Sequence, residues 1–421
     1  MFELKVRLHQ HLLDNMNLAA IDKMPAEELK REVGEMIREA LTRDQVPLNH
    51  KEKAQITADV LDELLGLGPL EPLLKDATVS DILVNTARQV YVERRGRLEE
   101  TVVRFKDDRH LLRIINKIVA AVGRRVDESQ PLCDARLADG SRVNAVVQPI
   151  AVDGPLLSIR KFSKRAMGLE RLIEIGSLTP QMSMILNAVV GGRLNVLISG
   201  GTGSGKTTML NALSACIDHR ERIVTIEDAA ELQLQQPHVA RLETRPPNVE
   251  GKGEITQRDL VKNALRMRPD RIILGEIRAG EAFDMLQAMN TGHDGSMSTV
   301  HANTCRDALS RLEQMIGMAG FEMSPRTVRA QIAAALNVVL QLERMGDGKR
   351  RVTSVAEITG MEGEVITMQE IFRFTRKSTD ADGRVHGNYW ATGVRPKFVG
   401  DLEAKGIHLP ATLFATDRPL G

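Results

Sequence analysis

The sequence predicts an α/β protein whose largest domain has a parallel, doubly wound sheet, preceded by a smaller α+β domain and a helical N-terminal region. After Lys164, continuous apolar runs alternate with helical patterns, as in strands buried on both faces of a parallel sheet. From about Val79 to Phe162 the apolar period is mostly two, which indicates strands. Before Gly66 the apolar residues follow helical spacing.

Charge and aromatic content exclude some partners. The 421 residues include 57 Lys and Arg against 56 Asp and Glu, a net charge of +1. Partners recruited by bulk charge, such as nucleic acid or anionic membranes, select for a large basic excess. Nine Phe, two Tyr and one Trp offer few faces on which single-stranded nucleic acid could stack. We therefore expect no nucleic-acid partner.

The cysteines and apolar segments indicate a soluble, cytoplasmic protein. Cys133, Cys216 and Cys305 are far apart without a CxxC spacing, so neither a disulfide framework nor a zinc site is expected. The first thirteen residues lack the continuous apolar segment and cleavage site of a signal peptide. The most apolar internal stretch, residues 332–342, is too short to span a membrane.

Two amphipathic helices are predicted near the N-terminus. The first runs from Pro25 to Asp44, with Pro25 at a tolerated early position, and the second from about Lys51 to Leu65. Gly66 is the expected C-cap of the second helix, and the breaker-rich residues 66–74 mark a domain boundary. These helices carry no recognisable chemistry, so a packing or docking role is expected.

The second region reads as strands around one helix. Residues 79–85 and 89–101 are predicted strands with a turn at Arg94 to Gly96, and Asp107 or Asp108 is expected to cap the helix that follows. Asp139-Gly140 favours a tight hairpin turn between two further strands. The run that ends at Phe162 is the last strand of this α+β domain.

The third region contains the buried strands of the α/β domain. Four apolar runs are predicted as strands: Leu194 to Ser199, Arg222 to Glu227, Arg271 to Glu276 and Ser296 to His301. Because helical patterns separate them, the strands are expected to be parallel, with their carboxyl ends at one edge of the sheet.

A phosphate-binding loop is the strongest motif in the chain. The segment SGGTGSGKTT matches GxxxxGK[ST], and it follows a predicted strand and precedes a predicted helix, as the motif requires. Its glycines let backbone N–H groups surround an anion at a helix N-terminus. The predicted nucleotide-binding residues are Gly200, Gly201, Thr202, Gly203, Ser204, Gly205, Lys206, Thr207 and Thr208.

The loop predicts ATP and Mg²⁺ as ligands. Lys206 is expected to reach the β- and γ-phosphates, and the Thr207 hydroxyl to bind Mg²⁺. The alternative is a Gly-rich turn that binds no ligand. The predicted strand before the motif and the predicted helix after it argue against this alternative.

Acids at strand ends supply candidate catalytic groups. Glu276, at the end of a predicted strand, is the candidate base for the attacking water. Gly275 precedes it where many P-loop enzymes have an Asp that supports Mg²⁺, so another acid must take that role. Glu227, Asp228 and Glu231 are the candidates, and for all four acids helix N-capping remains the alternative.

One histidine and several arginines complete the candidates. His301 ends the fourth strand, where either a structural or a γ-phosphate role is open. Guanidinium groups stabilise the charge that develops in phosphoryl transfer. The candidates are Arg142, Arg160, Arg241, Arg245, Arg266 and Arg268, any of which could instead be a surface residue.

The whole set of motifs resembles the secretion ATPases of type II, type IV and pilus systems. Residues 199–208, 226–232, 266–282 and 292–304 are similar to their Walker A, Asp, Walker B and His boxes. Residues 79–85, 139–163, 241–261 and 391–414 resemble the tight-adherence (Tad, or CpaF-type) pilus branch.

The resemblance implies domains, an assembly and residue roles. The residue patterns predict a helical region at 1–75 and a linker at 166–172, and the resemblance implies a PAS-like domain at 76–165 and a RecA-like ATPase domain at 173–421. By resemblance, Glu276 is the catalytic glutamate, Glu227 the Asp-box acid and a metal-site residue, and His301 the His-box histidine. Arg142 and Arg160 match arginines that the family's N-terminal domain directs toward the phosphates, and Arg266, a predicted nucleotide-binding residue, matches the arginine shortly before the Walker B strand.

The implied function is a homo-hexameric motor. It would hydrolyse Mg-ATP and act on inner-membrane platform proteins of a pilus or secretion system, and on pilin only indirectly. The motor would lie in the cytoplasm, where partner proteins would hold it at the inner membrane. The alternatives are a hexameric nucleic-acid translocase and a nucleotide-gated scaffold that does not hydrolyse ATP.

Overall fold

The structure is a computed structural model that describes residues 26–43, 49–64, 66–162, 167–248, 251–320, 322–416 and 419–420. The chain divides between Ser163 and Lys164 into two compact units. The predicted absence of a signal peptide concerns residues that lie outside the described part.

The first unit combines N-terminal helices with a six-stranded sheet. Its elements, in chain order, are α1 (Ala26–Arg43), α2 (His50–Leu64), a short 3-10 helix (Gly68–Leu70), α3 (Glu71–Lys75), β1 (Val79–Thr86), β2 (Gln89–Arg94), β3 (Arg97–Glu100), α4 (Asp108–Ala121), β4 (Leu132–Arg136), β5 (Arg142–Val146) and β6 (Leu156–Arg160). Both predicted N-terminal helices are confirmed over their described residues.

The sheet of the first unit is antiparallel, in the order β3-β2-β1-β6-β5-β4. The predicted turns lie between β2 and β3 and between β4 and β5, where Gly96 and Gly140 have φ of 80° and 93°. Asp107 caps α4, since its carboxylate accepts a 2.7 Å hydrogen bond from the His110 backbone N–H. One face of α4 is buried against the sheet through residues such as Leu111 and Ile115.

The second unit contains a nine-stranded sheet with helices. Its elements are α5 (Leu169–Glu174), α6 (Pro180–Gly191), β7 (Val196–Gly200), α7 (Lys206–Ser214), β8 (Ile223–Glu227), β9 (Val239–Glu243), α8 (Gln257–Ala264), β10 (Arg271–Ile277), α9 (Glu281–Asn290), β11 (Met297–Val300), α10 (Cys305–Met318), α11 (Pro325–Ala335), β12 (Val338–Arg344), β13 (Arg350–Glu362), β14 (Val365–Thr379), β15 (Val385–Ala391), α12 (Phe398–Ala404) and a 3-10 helix (Ala411–Phe414).

The strand order is β15-β14-β13-β12-β7-β11-β10-β8-β9. The strands from β12 to β9 in this order are parallel, and β13, β14 and β15 extend the sheet antiparallel. The four predicted strands are β7, β8, β10 and β11, so the predicted α/β class is confirmed. Strands β9 and β12 to β15 were not predicted.

The sheet brings the motif-bearing loops together. β7, which leads into the predicted phosphate loop, lies between β12 and β11, and two apolar cores cover the sheet. Because β7, β8, β10 and β11 run in the same direction, the loops after them lie at the same edge, where parallel sheets bind ligands. Leu169 and Leu172, in the predicted linker, are buried in the core of this unit.

Within the described residues, no helix combines the length and the apolarity needed to cross a bilayer.

Candidate functional site

The phosphate loop joins the end of β7 to the start of α7. Gly203 and Gly205 have φ of 68° and 96°, which side chains other than glycine rarely adopt. A Cβ on Gly200 would lie 2.4 Å from the Ser204 Oγ and 2.6 Å from the Leu342 carbonyl oxygen. The glycines at these three positions are therefore required by the shape and packing of the loop.

Lys206 connects this loop to the strand that carries Glu276. Its Nζ donates to the carbonyl oxygens of Gly200 and Gly201 at 2.9 and 3.0 Å. The same Nζ lies 3.9 Å from Oε1 of Glu276. Burial lowers the pKa of Lys206 and Arg278 adds to that effect, whereas Glu276 opposes it. The candidate phosphate-binding lysine and the candidate base thus form one site.

Arg278 links two of the candidate acids. Its Nε donates to Oε2 of Glu276 at 2.7 Å, and its Nη1 donates to Oδ2 of Asp228 at 2.9 Å. The backbone N–H groups of Arg278 and Ala279, just before α9, donate to Glu281. No side chain among the described residues caps α9, so Glu276 does not have the capping role considered for it.

Glu227 is the most buried of the acids, with 4% exposure. Its Oε1 accepts hydrogen bonds from the backbone N–H groups of Glu231 and Leu232 at 2.8 and 2.9 Å. Its Oε2 is buried and has no hydrogen-bond partner among the described residues. Burial raises the pKa of Glu227, although its two backbone hydrogen bonds oppose this. One oxygen thus orders the loop after β8, whereas the other has no partner among the described residues.

Gly275 makes room for Glu227. A Cβ on Gly275 would lie 3.0 Å from Cγ of Glu227, closer than ordinary packing allows. The Glu227 side chain, which comes from the neighbouring strand β8, therefore occupies the space beside Gly275.

His301 follows β11 and is exposed. It borders a cavity of about 450 Å³ whose lining also includes Asn303, Asp307 and Arg311. β11 pairs with both β7 and β10, so this histidine leaves the sheet at the edge where the phosphate loop lies. Thr207, the predicted metal ligand, is in the first turn of α7.

The predicted arginines are spread over both units. Arg142 and Arg160 are directly opposed on β5 and β6, and Nε of Arg160 donates to Asp81 at 3.1 Å. Arg266 and Arg268 lie exposed between α8 and β10, Arg241 is on β9, and the Arg245 Nε donates to the Gly253 carbonyl.

Sequence reasoning missed two arginines beside the phosphate loop, Arg344 and Arg350. Nε of Arg350 donates to the Gly203 carbonyl at 2.8 Å. Nη1 of Arg344 lies 3.3 Å from the position that a Cβ on Gly203 would take. They come from β12 and β13, which the sequence patterns did not predict, so no signal placed them near the site.

A P-loop at the end of a central parallel strand, with its lysine beside an acid on a nearby strand, defines the class of P-loop ATP hydrolases. Comparison identifies the family: the model of the Type II/IV secretion system protein family matches residues 63–385, and the chain belongs to this family. The predicted family and ATP-hydrolase class are thereby confirmed, and with them nucleotide binding.

Individual relatives agree with this assignment. A Mycobacterium tuberculosis protein whose name refers to conjugal transfer is 40% identical over 309 residues, covering 72% of this chain and 87% of the relative. The type IV secretion system protein VirB11 of Bartonella henselae is 32% identical over 335 residues, covering 69% and 92%. The crystal structure of the Yersinia pseudotuberculosis ATPase DotB matches at a TM-score of 0.50 with 19% identity, covering 73% and 79%. That structure supports the fold, RecA-like with a preceding domain.

Proposed function

We propose that the protein is a hexameric motor that hydrolyses Mg-ATP to drive assembly, and possible retraction, of a Tad-type pilus or a related secretion machine. The observation that carries the proposal is the 3.9 Å approach of the Lys206 ammonium to the Glu276 carboxylate. A phosphate-binding cation and a candidate base at that distance can act on the same γ-phosphate and its attacking water.

The residues present fit a magnesium ion. The buried, unpaired Oε2 of Glu227 is a hard oxygen of the kind that Mg²⁺ prefers, and Thr207 supplies a hydroxyl from the first turn of α7. In this class of enzyme the ion neutralises charge on the β- and γ-phosphates. Glu227 and Thr207 are accordingly proposed to hold it.

Glu276 would take a proton from the water that attacks the γ-phosphorus, with ADP as the leaving group. Arg278 holds this carboxylate by two nitrogens, Nε at 2.7 Å and Nη2 at 2.6 Å, and so fixes its orientation. His301, at the end of β11, is proposed to contact the γ-phosphate side of the site. Arg142, Arg160 and Arg266 are proposed to approach the phosphates in the assembled ring.

The output of the motor is proposed to be mechanical. Loss of γ-phosphate contacts on hydrolysis would change the arrangement of the RecA-like and PAS-like domains through the predicted linker 166–172. That motion would act on inner-membrane platform proteins and reach pilin only through them. Placement at the inner membrane would then depend on those partners, with the protein itself in the cytoplasm.

The assignment to the Tad pilus branch is the most specific part of the proposal. It is supported by the resemblance of residues 139–163 and 391–414 to Tad-type proteins. Relatives named for conjugal transfer and for type IV secretion support a secretion motor more generally. A strain in which the gene is deleted and then restored as wild type or as Lys206→Ala distinguishes a Tad pilus motor from another secretion motor. If the protein is a Tad motor, surface pili return with the wild-type gene and not with Lys206→Ala. Normal pili in the deletion strain contradict the pilus assignment.

Steady-state ATP turnover of the purified chain tests the motor itself. A site shared between subunits predicts that turnover per chain rises steeply with protein concentration. A turnover rate per chain that stays constant as the protein concentration rises contradicts a site shared between subunits of a ring. Addition of single-stranded DNA discriminates the translocase, which predicts stimulation of several-fold, and absence of any turnover identifies the non-hydrolysing scaffold.

A further inference from the structure

The strand β12 continues past the end of its neighbour β7. The two strands pair in parallel from Val338 opposite Val196 to Leu342 opposite Gly200. β7 ends at Gly200, but β12 runs on to Arg344, where it pairs with Arg350 at the start of β13. The β12–β13 hairpin therefore projects alongside the phosphate loop.

Both arginines at the turn end of this hairpin approach the loop. Nε of Arg350 donates to the Gly203 carbonyl at 2.8 Å, and its Cδ lies 3.2 Å from the position of a Cβ on Gly205. Nη1 of Arg344 lies 3.3 Å from the corresponding position on Gly203. Glycine at both loop positions is what allows this close approach.

The bond from Arg350 orients a donor of the loop. In a trans peptide the C=O of Gly203 and the N–H of Ser204 point in opposite directions. Holding the carbonyl on Arg350 therefore turns the Ser204 N–H away from the hairpin. That N–H has a long bond of 3.4 Å to the Gly201 carbonyl, which a phosphate oxygen could readily replace.

The two arginines also place positive charge next to the phosphate loop. They are directly opposed across β12 and β13, so both guanidinium groups lie at the end of the hairpin that meets the loop. Their charge attracts a phosphate held by the N–H groups of the loop, although the Gly203 carbonyl that Arg350 binds points away from that phosphate.

We propose that the β12–β13 hairpin belongs to the nucleotide site: Arg350 positions the phosphate loop through the Gly203 carbonyl, and Arg344 and Arg350 together attract the phosphates of the nucleotide. This inference rests on the proposed binding of ATP at the loop.

The test is ATP affinity of the full-length protein, measured calorimetrically at low and high salt. The variants are Arg344→Ala, Arg350→Ala and Arg350→Lys. Arg376→Ala is the matched control, since Arg376 is an exposed arginine of β14 that hydrogen bonds with Thr379. At low salt we expect Arg350→Ala to weaken ATP binding about tenfold and Arg344→Ala about threefold, because charge-assisted hydrogen bonds are among the stronger ones.

Salt and the lysine variant separate this role from a structural one. Because salt screens exposed charges, the loss should shrink to about threefold or less for Arg350→Ala at high salt. Arg350→Lys, which keeps the charge, should recover part of the affinity. The inference is wrong if Arg350→Ala binds ATP as tightly as Arg376→Ala does, or if its loss is the same at both salt concentrations.

Further variants cover a failure of Arg350→Ala to fold and separate this inference from the proposed function. If Arg350→Ala does not fold, Arg344→Ala and Arg350→Lys are judged by the same criteria. Lys206→Ala tests the proposed function separately. If Lys206→Ala binds ATP like wild type, the assignment of the loop fails; if only the hairpin variants do so, this inference alone fails.

Discussion

Gly275 and Glu227 occupy facing positions on adjacent parallel strands, where a Cβ on the glycine would lie 3.0 Å from Cγ of the glutamate. The missing side chain on β10 and the acid on β8 are therefore two parts of one arrangement. It places a buried carboxylate oxygen at the carboxyl end of β8 while leaving Glu276, the next residue of β10, beside Lys206.

Gly275→Ala should impair turnover without abolishing ATP binding. The added methyl group displaces Glu227 by a few tenths of an ångström, and small displacements in a catalytic site are costly. We expect kcat to fall roughly tenfold and the Mg²⁺ concentration for half-maximal turnover to rise. The control is Gly317→Ala on α10, whose Cβ would have no neighbour within 4 Å. Equal kcat values for the two variants would contradict the arrangement.

Arg278→Ala should lower kcat more than it raises KM for ATP. The Arg278 side chain donates hydrogen bonds to the carboxylates of Glu276 and Asp228, so it acts on the acids of the site. Removing it leaves two acids near each other without their shared cation, so we expect a loss of about 10²-fold in kcat. Steady-state kinetics checks this, with Arg278→Lys expected to retain part of the rate. A variant whose whole loss lies in KM would show that Arg278 serves nucleotide binding instead.

Arg271 should matter for stability and not for nucleotide binding. It is fully buried and donates through Nε and Nη2 to both oxygens of Glu221, at 2.8 and 2.9 Å. Arg271→Met leaves Glu221 beside the half-exposed Arg193 as its remaining cation among the described residues, so the free energy of unfolding should fall by about 3 kcal/mol. Urea unfolding measures this against Arg220→Met, the replacement of an exposed arginine, which should leave the unfolding midpoint close to that of wild type. An unchanged unfolding midpoint for Arg271→Met would refute the structural role.

Asp347 should make the β12–β13 hairpin sensitive to acid. Burial opposes its ionisation, but hydrogen bonds from Arg351 and from the backbone of Lys349 and Val385 lower the pKa of Asp347 to about 2. A lowered carboxyl pKa stabilises the fold above the unfolded value of 3.8, and that stability is lost as the pH falls through about 2.

Asp347→Asn is therefore expected to be less stable than wild type at pH 7, with the difference shrinking as the pH falls below 3.8. Urea unfolding at pH 7, 4 and 3 checks this. A difference that stays constant over this range would mean that the charge of Asp347 does not stabilise the hairpin.

The sequence predicted the parts of the site that depend on contiguous residues. The phosphate loop and the strand that ends in Glu276 were found because the motif and the apolar runs are local. The residue patterns alone could name Glu227 only as one of three acids, and the family resemblance was needed to single it out, because its packing against Gly275 of another strand is not encoded locally.

The remaining elements could not be predicted for a physical reason. β9 and the antiparallel strands β13 to β15 are partly exposed, so their residues lack the continuous apolar runs of the central strands. The approach of Arg350 to Gly203 depends on the pairing of β12 with both β7 and β13, which no local pattern encodes.

The central claim is that Glu276 activates water at a site where Lys206 holds the phosphates, and Glu276→Gln tests it most directly. The amide keeps the shape of the side chain but cannot accept the proton. ATP affinity and the rate of turnover are both measured for this variant. The control is Glu403→Gln, because Glu403 forms an exposed ion pair with Arg395 and has no proposed role in the site. We predict ATP affinity close to wild type and turnover reduced by about 10²- to 10⁴-fold. Hydrolysis at the wild-type rate by Glu276→Gln would contradict the account.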